Sequence, residues 1–199
     1  MFRGMVYRFD RFGMKWIHAN AEQVMNESDL KTYEKLQRII FRKKVHRLWN
    51  VMKSGKPDQL SEKDKKLANL IVEHEEYSDH FENTELLDGN EYEAGKLFNP
   101  FFHISTHQIV EDQLASNTPI ETALFVEETQ GKGVSRHEAV HFVIMILIHL
   151  IHASATSGQP FDAERYKRLL NRCRDVDSSE IERVIEDDFS SNKSRRDLH

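Results

Sequence analysis

The sequence predicts an all-α protein, an up-and-down helical bundle with additional C-terminal helices. Helix breakers are scarce, since the 199 residues include only eight glycines and four prolines. Apolar residues recur at three- and four-residue spacing along much of the chain, which is the period of an amphipathic helix. Capping residues precede several of these periodic stretches. These three observations favour helices over strands for most of the sequence.

The first part of the chain contains an extension and two predicted helices. Residues 1–26 are an N-terminal extension of unclear structure, because their aromatic residues follow no clear period. The first helix is predicted over residues 28–52, and Gly55 and Pro57 end it. The second helix is predicted over residues 61–81, with a serine as its N-cap. An acidic stretch follows and is predicted to be a loop.

The second part of the chain contains four further predicted helix starts, each marked by a capping signal. These signals are Asn99 followed by Pro100, the pair of Thr118 and Glu121, the pair of Ser135 and Glu138, and Asp162.

A short last helix and a tail complete the predicted chain. Ile181, Val184, Ile185 and Phe189 have helical spacing, whereas residues 190–199 are predicted to be a disordered tail. We therefore predict an extension over residues 1–26, a single helical domain over 27–189 and the tail over 190–199.

Composition predicts a soluble cytoplasmic protein. Cys173 is the single cysteine, which excludes an intrachain disulfide and suggests a reducing compartment. The start of the chain lacks the apolar stretch of a signal peptide. The most apolar stretch, residues 140–151, is too short to span a bilayer comfortably. We expect no membrane partner.

Charge is distributed unevenly along the chain. Residues 1–56 have thirteen Lys and Arg against five Asp and Glu, a net charge of +8, whereas residues 57–130 have four against seventeen, a net charge of −13. The basic part includes a cluster that is a candidate for binding nucleic acid or an acidic partner. A solvated helix face that pairs with the acidic residues explains it better, so we expect no nucleic-acid partner. The cluster consists of Arg42, Lys43, Lys44 and Arg47.

Histidine spacing gives the sharpest functional signal. His103 and His107 are four residues apart in the third predicted helix, and His137 and His141 are four residues apart in the fifth. This spacing places both members of a pair on one helix face, one turn apart. Each pair also continues into an apolar stripe, so we expect both pairs to face the core.

Connectivity places the two pairs at the same level. If one short helix separates the third and fifth helices, these two run parallel in an up-and-down bundle. Each pair lies in the first turns of its helix, so the four imidazoles can face each other. Such an arrangement suits a metal ion, for which we favour iron or zinc.

Two further residues join the candidate ligands. His74 lies on the apolar stripe of the second helix, and Glu111 extends the line of His103 and His107 by one more turn. Glu111 is a candidate carboxylate ligand or base. His149 and His152 lie too far along the fifth helix to share one ion with His141, and packing near the helix end explains them. The alternative for all these histidines is a hydrogen-bonded core without metal.

The sequence leaves the activity open. It contains no phosphate-binding glycine loop and no nucleophile elbow, so no catalytic residue is assigned. The first hypothesis is a metal-dependent hydrolase or oxidoreductase, with Glu111 or Glu76 as base. The alternative is a non-catalytic interaction module that is stabilised by metal or by a buried histidine cluster. Assembly into a homo-oligomer also stays open.

Four motifs resemble one bacterial family, the domain of unknown function 1841, over roughly residues 48–170. The most specific motif is Asn99-Pro100-Phe101-Phe102-His103 with His107. The resemblance implies a small helical protein and supports the histidine site without assigning an activity. The other motifs are His74-Glu75-Glu76-Tyr77, the pair of His137 and His141, and Pro160-Phe161-Asp162 with Tyr166.

Three positions depart from that family pattern. The family has proline where this chain has Glu75, and glutamates near the positions of Met145 and His149. The absence of a carboxylate at Met145 argues against a carboxylate-bridged pair of metal ions.

Overall fold

A computed structural model describes residues 5–10, 13–18, 27–83 and 99–196. It confirms the predicted all-α class, because helices make up most of the described residues. The helices are α1 (Glu27–Lys53), α2 (Glu62–Val72), α3 (Ser78–Glu82), α4 (Pro100–Ser116), α5 (Ile120–Gly131), α6 (Arg136–Ser157), α7 (Ala163–Arg174) and α8 (Ile181–Arg196).

Two short β-strands precede the helices and are an exception to the predicted all-α class. Strands β1 (Met5–Asp10) and β2 (Gly13–His18) form a two-stranded sheet. Sequence periodicity had left this region unassigned. Within Met5–Asp10, however, larger apolar residues alternate with polar ones near its end, which is the two-residue period of a strand.

Helix boundaries mostly follow the capping signals, with three differences. The second predicted helix ends at Val72, and Phe81 belongs to the separate helix α3. Helix α5 begins after Pro119, and the Thr118 hydroxyl donates to the Ser116 carbonyl instead of capping the helix. Helix α8 continues to Arg196, past the start of the predicted tail at Ser190. Residues 190–196 contain no glycine or proline to end it.

The chain separates into two compact units, one containing Lys15–Ser105 and the other Thr106–His199. In the first unit, α2 and α3 pack against α1. Large apolar side chains fill this core, and Trp49 contacts the Phe81 ring, with the ring centroids 5.7 Å apart. The core includes Val45, Leu48, Leu67, Ile71, Phe81, Phe101 and Ile104.

In the second unit, α5, α6, α7 and α8 pack against one another. Helix α6 contacts α5, α7 and α8, and its buried residues, such as Val143, Ile146, Leu147 and Leu150, lie along one face. Among the described helices, α6 is also long and apolar enough to cross a membrane. Half of that apolar window is buried in the protein, and the core helix of a soluble protein has the same features.

Candidate metal centre

Helix α4 carries two of the predicted ligands. The Asn99 side chain accepts a hydrogen bond from the Phe102 amide at 3.0 Å, which caps the start of the helix. Pro100 occupies the first helical position, where its missing N–H costs nothing. His103 and His107 follow one turn apart on this continuous helix. His103 is half-buried, whereas His107 is fully buried.

His74 lies just beyond the end of α2 and is fully buried. Its Nδ1 is 2.8 Å from the Leu70 carbonyl oxygen. A carbonyl only accepts hydrogen bonds, so Nδ1 carries the proton and Nε2 has the lone pair. This backbone bond is the arrangement that commonly orients metal-binding histidines. The His74 and His103 ring centroids are 4.8 Å apart.

Tyr77 contacts both of these imidazoles and was missed as a site residue by sequence reasoning. Its ring centroid is 6.0 Å from that of His74 and 5.6 Å from that of His103. Burial, together with the nearby Glu76 carboxylate, raises the pKa of the Tyr77 phenol. A short 3-10 turn over Glu75–Tyr77 brings this ring beside His74. The only sequence signal was the motif that begins at His74.

The second unit contains a group of three histidines. Nε2 of His107 is 2.9 Å from Nε2 of His141, and their ring centroids are 4.8 Å apart. His137 lies one turn before His141 on α6, with its ring centroid 4.2 Å from that of His141 and 5.5 Å from that of His107. The Ser135 hydroxyl caps α6 by accepting from the Glu138 amide, as the sequence predicted.

Four histidines therefore gather around helix α4. His74, His103, His107 and His141 each offer one ring nitrogen, and these nitrogens all lie within 4.8 Å of one another. Four nitrogens that bind one zinc ion tetrahedrally at about 2.1 Å are about 3.4 Å from one another. A pair as far apart as 4.8 Å would need to approach by roughly 1.4 Å to reach that spacing. The Nε2 atoms of His107 and His141, at 2.9 Å, would need to move apart by about 0.5 Å.

Two predicted ligands lie outside this group of four among the described residues. His137 contacts the His141 ring but is not part of the group. Both carboxylate oxygens of Glu111 accept hydrogen bonds from the Arg136 guanidinium, at 2.8 and 2.6 Å. Whether either residue binds an ion stays a prediction.

The remaining histidines on α6 have separate surroundings. His149 Nδ1 is 2.8 Å from the Met145 carbonyl oxygen, and its ring packs 4.9 Å from that of Phe189. His152 is exposed. The contacts of His149 fit the packing role that the sequence suggested, whereas the exposed position of His152 does not.

The basic cluster on α1 contains two residues that pair with an acidic side chain. Lys44 and Arg47 contact the Asp64 carboxylate at 2.7 and 2.9 Å. Hydrogen bonds from these two cations lower the pKa of Asp64. Arg42 lies over the Phe101 ring, 5.6 Å from its centroid. Part of the cluster's charge is thus engaged within the protein.

The fold and this site define an all-α protein with a histidine cluster. A family model for a domain of unknown function, DUF1841, matches residues 37–172, so the chain belongs to this family. This match confirms the resemblance inferred from the sequence motifs. The searches matched no curated protein and no solved structure.

Proposed function

We propose that this protein binds a transition-metal ion through His74, His103, His107 and His141. The observation that carries the proposal is the gathering of four imidazole nitrogens within 4.8 Å. An all-imidazole set suits zinc, iron, copper or nickel better than magnesium or calcium, which prefer oxygen ligands.

The tautomer of His74 supports the same proposal. Its Nδ1 proton is held by the Leu70 carbonyl, so Nε2 is the nitrogen with a lone pair for a metal ion. His74 and His107 are both fully buried. His103 and His141 are only half-buried, which favours solvent access to an ion that either of them binds.

That partial exposure supports a metalloenzyme, either a hydrolase or an oxidoreductase. An accessible coordination position lets an ion activate water or bind an oxidant. We expect hydrolysis of an activated ester or phosphoester, or turnover of peroxide, that requires the loaded ion. Loss of such turnover in His107→Ala, and its retention in His152→Ala, would tie the activity to the site.

The hydrogen-bonded contact between His107 and His141 supports the alternative, a non-catalytic interaction module. At 2.9 Å, one Nε2 can donate to the other, so the pair can be satisfied without an ion. In that case the histidines are part of a polar core.

Elemental analysis tests the proposal directly. The protein is purified without a nickel column and measured before and after incubation with zinc and removal of excess metal. We expect about one equivalent of bound metal in wild type and much less in His107→Ala and His141→Ala. His152→Ala is the matched control, because His152 lies on α6 and is exposed. Equal metal contents in all four proteins would refute the proposal.

A further inference from the structure

An ion pair links the two helices that carry His107 and His141. Glu111 on α4 accepts from Arg136 on α6 through both carboxylate oxygens, at 2.8 and 2.6 Å. Such a two-point arginine–carboxylate contact fixes orientation as well as distance, because the guanidinium is planar and its donors have a fixed geometry.

The ion pair lies close to the proposed ligands along both helices. Glu111 follows His107 by one turn of α4, and Arg136 is the first residue of α6, directly before His137. The contact thus joins α4 and α6 beside the place where the Nε2 atoms of His107 and His141 are 2.9 Å apart. A change in this link is expected to alter the spacing of those two nitrogens.

We propose that the ion pair of Glu111 and Arg136 is a positioning element that raises metal affinity by holding His107 and His141 at ligand spacing. This inference rests on the proposed function. It gives Glu111 a different role from the ligand or base expected from its place after His107. Both of its carboxylate oxygens are engaged by Arg136, so the carboxylate acts on the site through the helices.

The size of the effect follows from the exposure of the two side chains. Arg136 is 52% exposed and Glu111 is 39% exposed, so solvent weakens their attraction. Surface pairs of this kind contribute about 1 kcal/mol at most, which is about a fivefold change in an equilibrium constant. We therefore expect Glu111→Gln and Arg136→Gln each to raise the Kd for zinc by about threefold to fivefold.

The experiment has two measurements. Competition with a chromophoric chelator gives the zinc affinity of each variant, and the visible absorption spectrum of the cobalt-loaded protein reports the ligand set. The expected result is weaker zinc binding with unchanged cobalt band positions, because the ligand set stays the same. The double variant Glu111→Arg with Arg136→Glu exchanges the two charges and should recover at least part of the lost affinity. A cobalt spectrum that changes in Glu111→Gln but not in Arg136→Gln would show that Glu111 is a ligand, and it would overturn the positioning role.

Two controls separate this inference from a general loss of stability and from the proposed function. Glu164→Gln removes another exposed ion pair, with Lys167 on α7, and should leave zinc affinity unchanged. Equal affinity losses in Glu164→Gln and Glu111→Gln would refute positioning. If His107→Ala loses metal but both ion-pair variants bind zinc like wild type, only the positioning role fails. If His107→Ala also binds like wild type, the proposed function fails.

Discussion

Metal removal should lower the thermal stability of this protein by an amount that can be calculated in advance. An ion that binds only the folded state stabilises it by about 2.7 kcal/mol when its free concentration is 100 times its Kd. For a chain of this length, each kcal/mol changes the Tm by about 2–4 °C. We therefore expect the Tm in zinc to exceed the Tm in excess chelator by about 5–11 °C.

The variants assign that increment to particular side chains. His107→Ala and His141→Ala each remove one nitrogen of the pair that is separated by 2.9 Å, so the difference between zinc and chelator should largely disappear. Each variant is compared with itself in the two conditions, because removal of the buried His107 ring also lowers the stability of the metal-free protein. His152→Ala should keep the full wild-type difference, since His152 is exposed.

Differential scanning calorimetry at neutral pH provides the measurement, with zinc content determined for each sample. A zinc-loaded wild type that melts at the same temperature with and without chelator would contradict the reasoning. So would a His107→Ala protein that keeps the full difference while it contains zinc, because the ion would then be bound elsewhere.

Two predictions concern the second unit away from the histidines. The Gln113 side-chain oxygen accepts hydrogen bonds from both the Tyr166 and Thr122 hydroxyls, each at 2.8 Å. Gln113→Leu removes the acceptor of both bonds and should lower the free energy of unfolding, measured in urea, by about 2 kcal/mol. Tyr166→Phe removes one of the two donors and should lower it by about 1 kcal/mol. Equal effects would contradict the shared-acceptor role of Gln113. Burial raises the pKa of the Cys173 thiol to about 11, so Cys173 should react with a thiol reagent at neutral pH only after unfolding. Rapid labelling of the native protein would contradict its burial.

The helices were predictable because their signals are local. Ser135 and Asp162 cap α6 and α7 through hydrogen bonds to amides three residues later, as the sequence pattern indicated. Thr118 has the same pattern, yet Pro119 precedes α5 with an extended backbone and displaces the start of the helix by one residue. A capping motif therefore predicts that a helix begins nearby more securely than it predicts which residue caps it.

The site was predictable only in part, because some of its contacts depend on the path of the chain. The spacing of His103 and His107 is a property of one helix and can be read from sequence. The position of His74 depends on the end of α2 and on the 3-10 turn that follows it. Tyr77 lies against His74 and His103 for the same reason, and no helical period predicts that contact.

A comparison of His74 with His137 tests which histidine completes the ligand set. Sequence spacing favoured His137, whereas the group of four nitrogens contains His74. His74 is fully buried and oriented by the Leu70 carbonyl, so little conformational freedom is lost when it binds an ion. His137 is half-buried in the first turn of α6 and lies outside the group of four nitrogens. We therefore expect His74→Ala to raise the Kd for zinc by at least tenfold more than His137→Ala does, a difference of about 1.4 kcal/mol.

Competition titrations on both variants measure this ratio. His74→Asn, which keeps a polar side chain of smaller size, controls for the cavity that alanine leaves. If His137→Ala has the larger effect, the ligands are the two helical pairs that the sequence alone indicated, and His74 is a core histidine held by its backbone hydrogen bond.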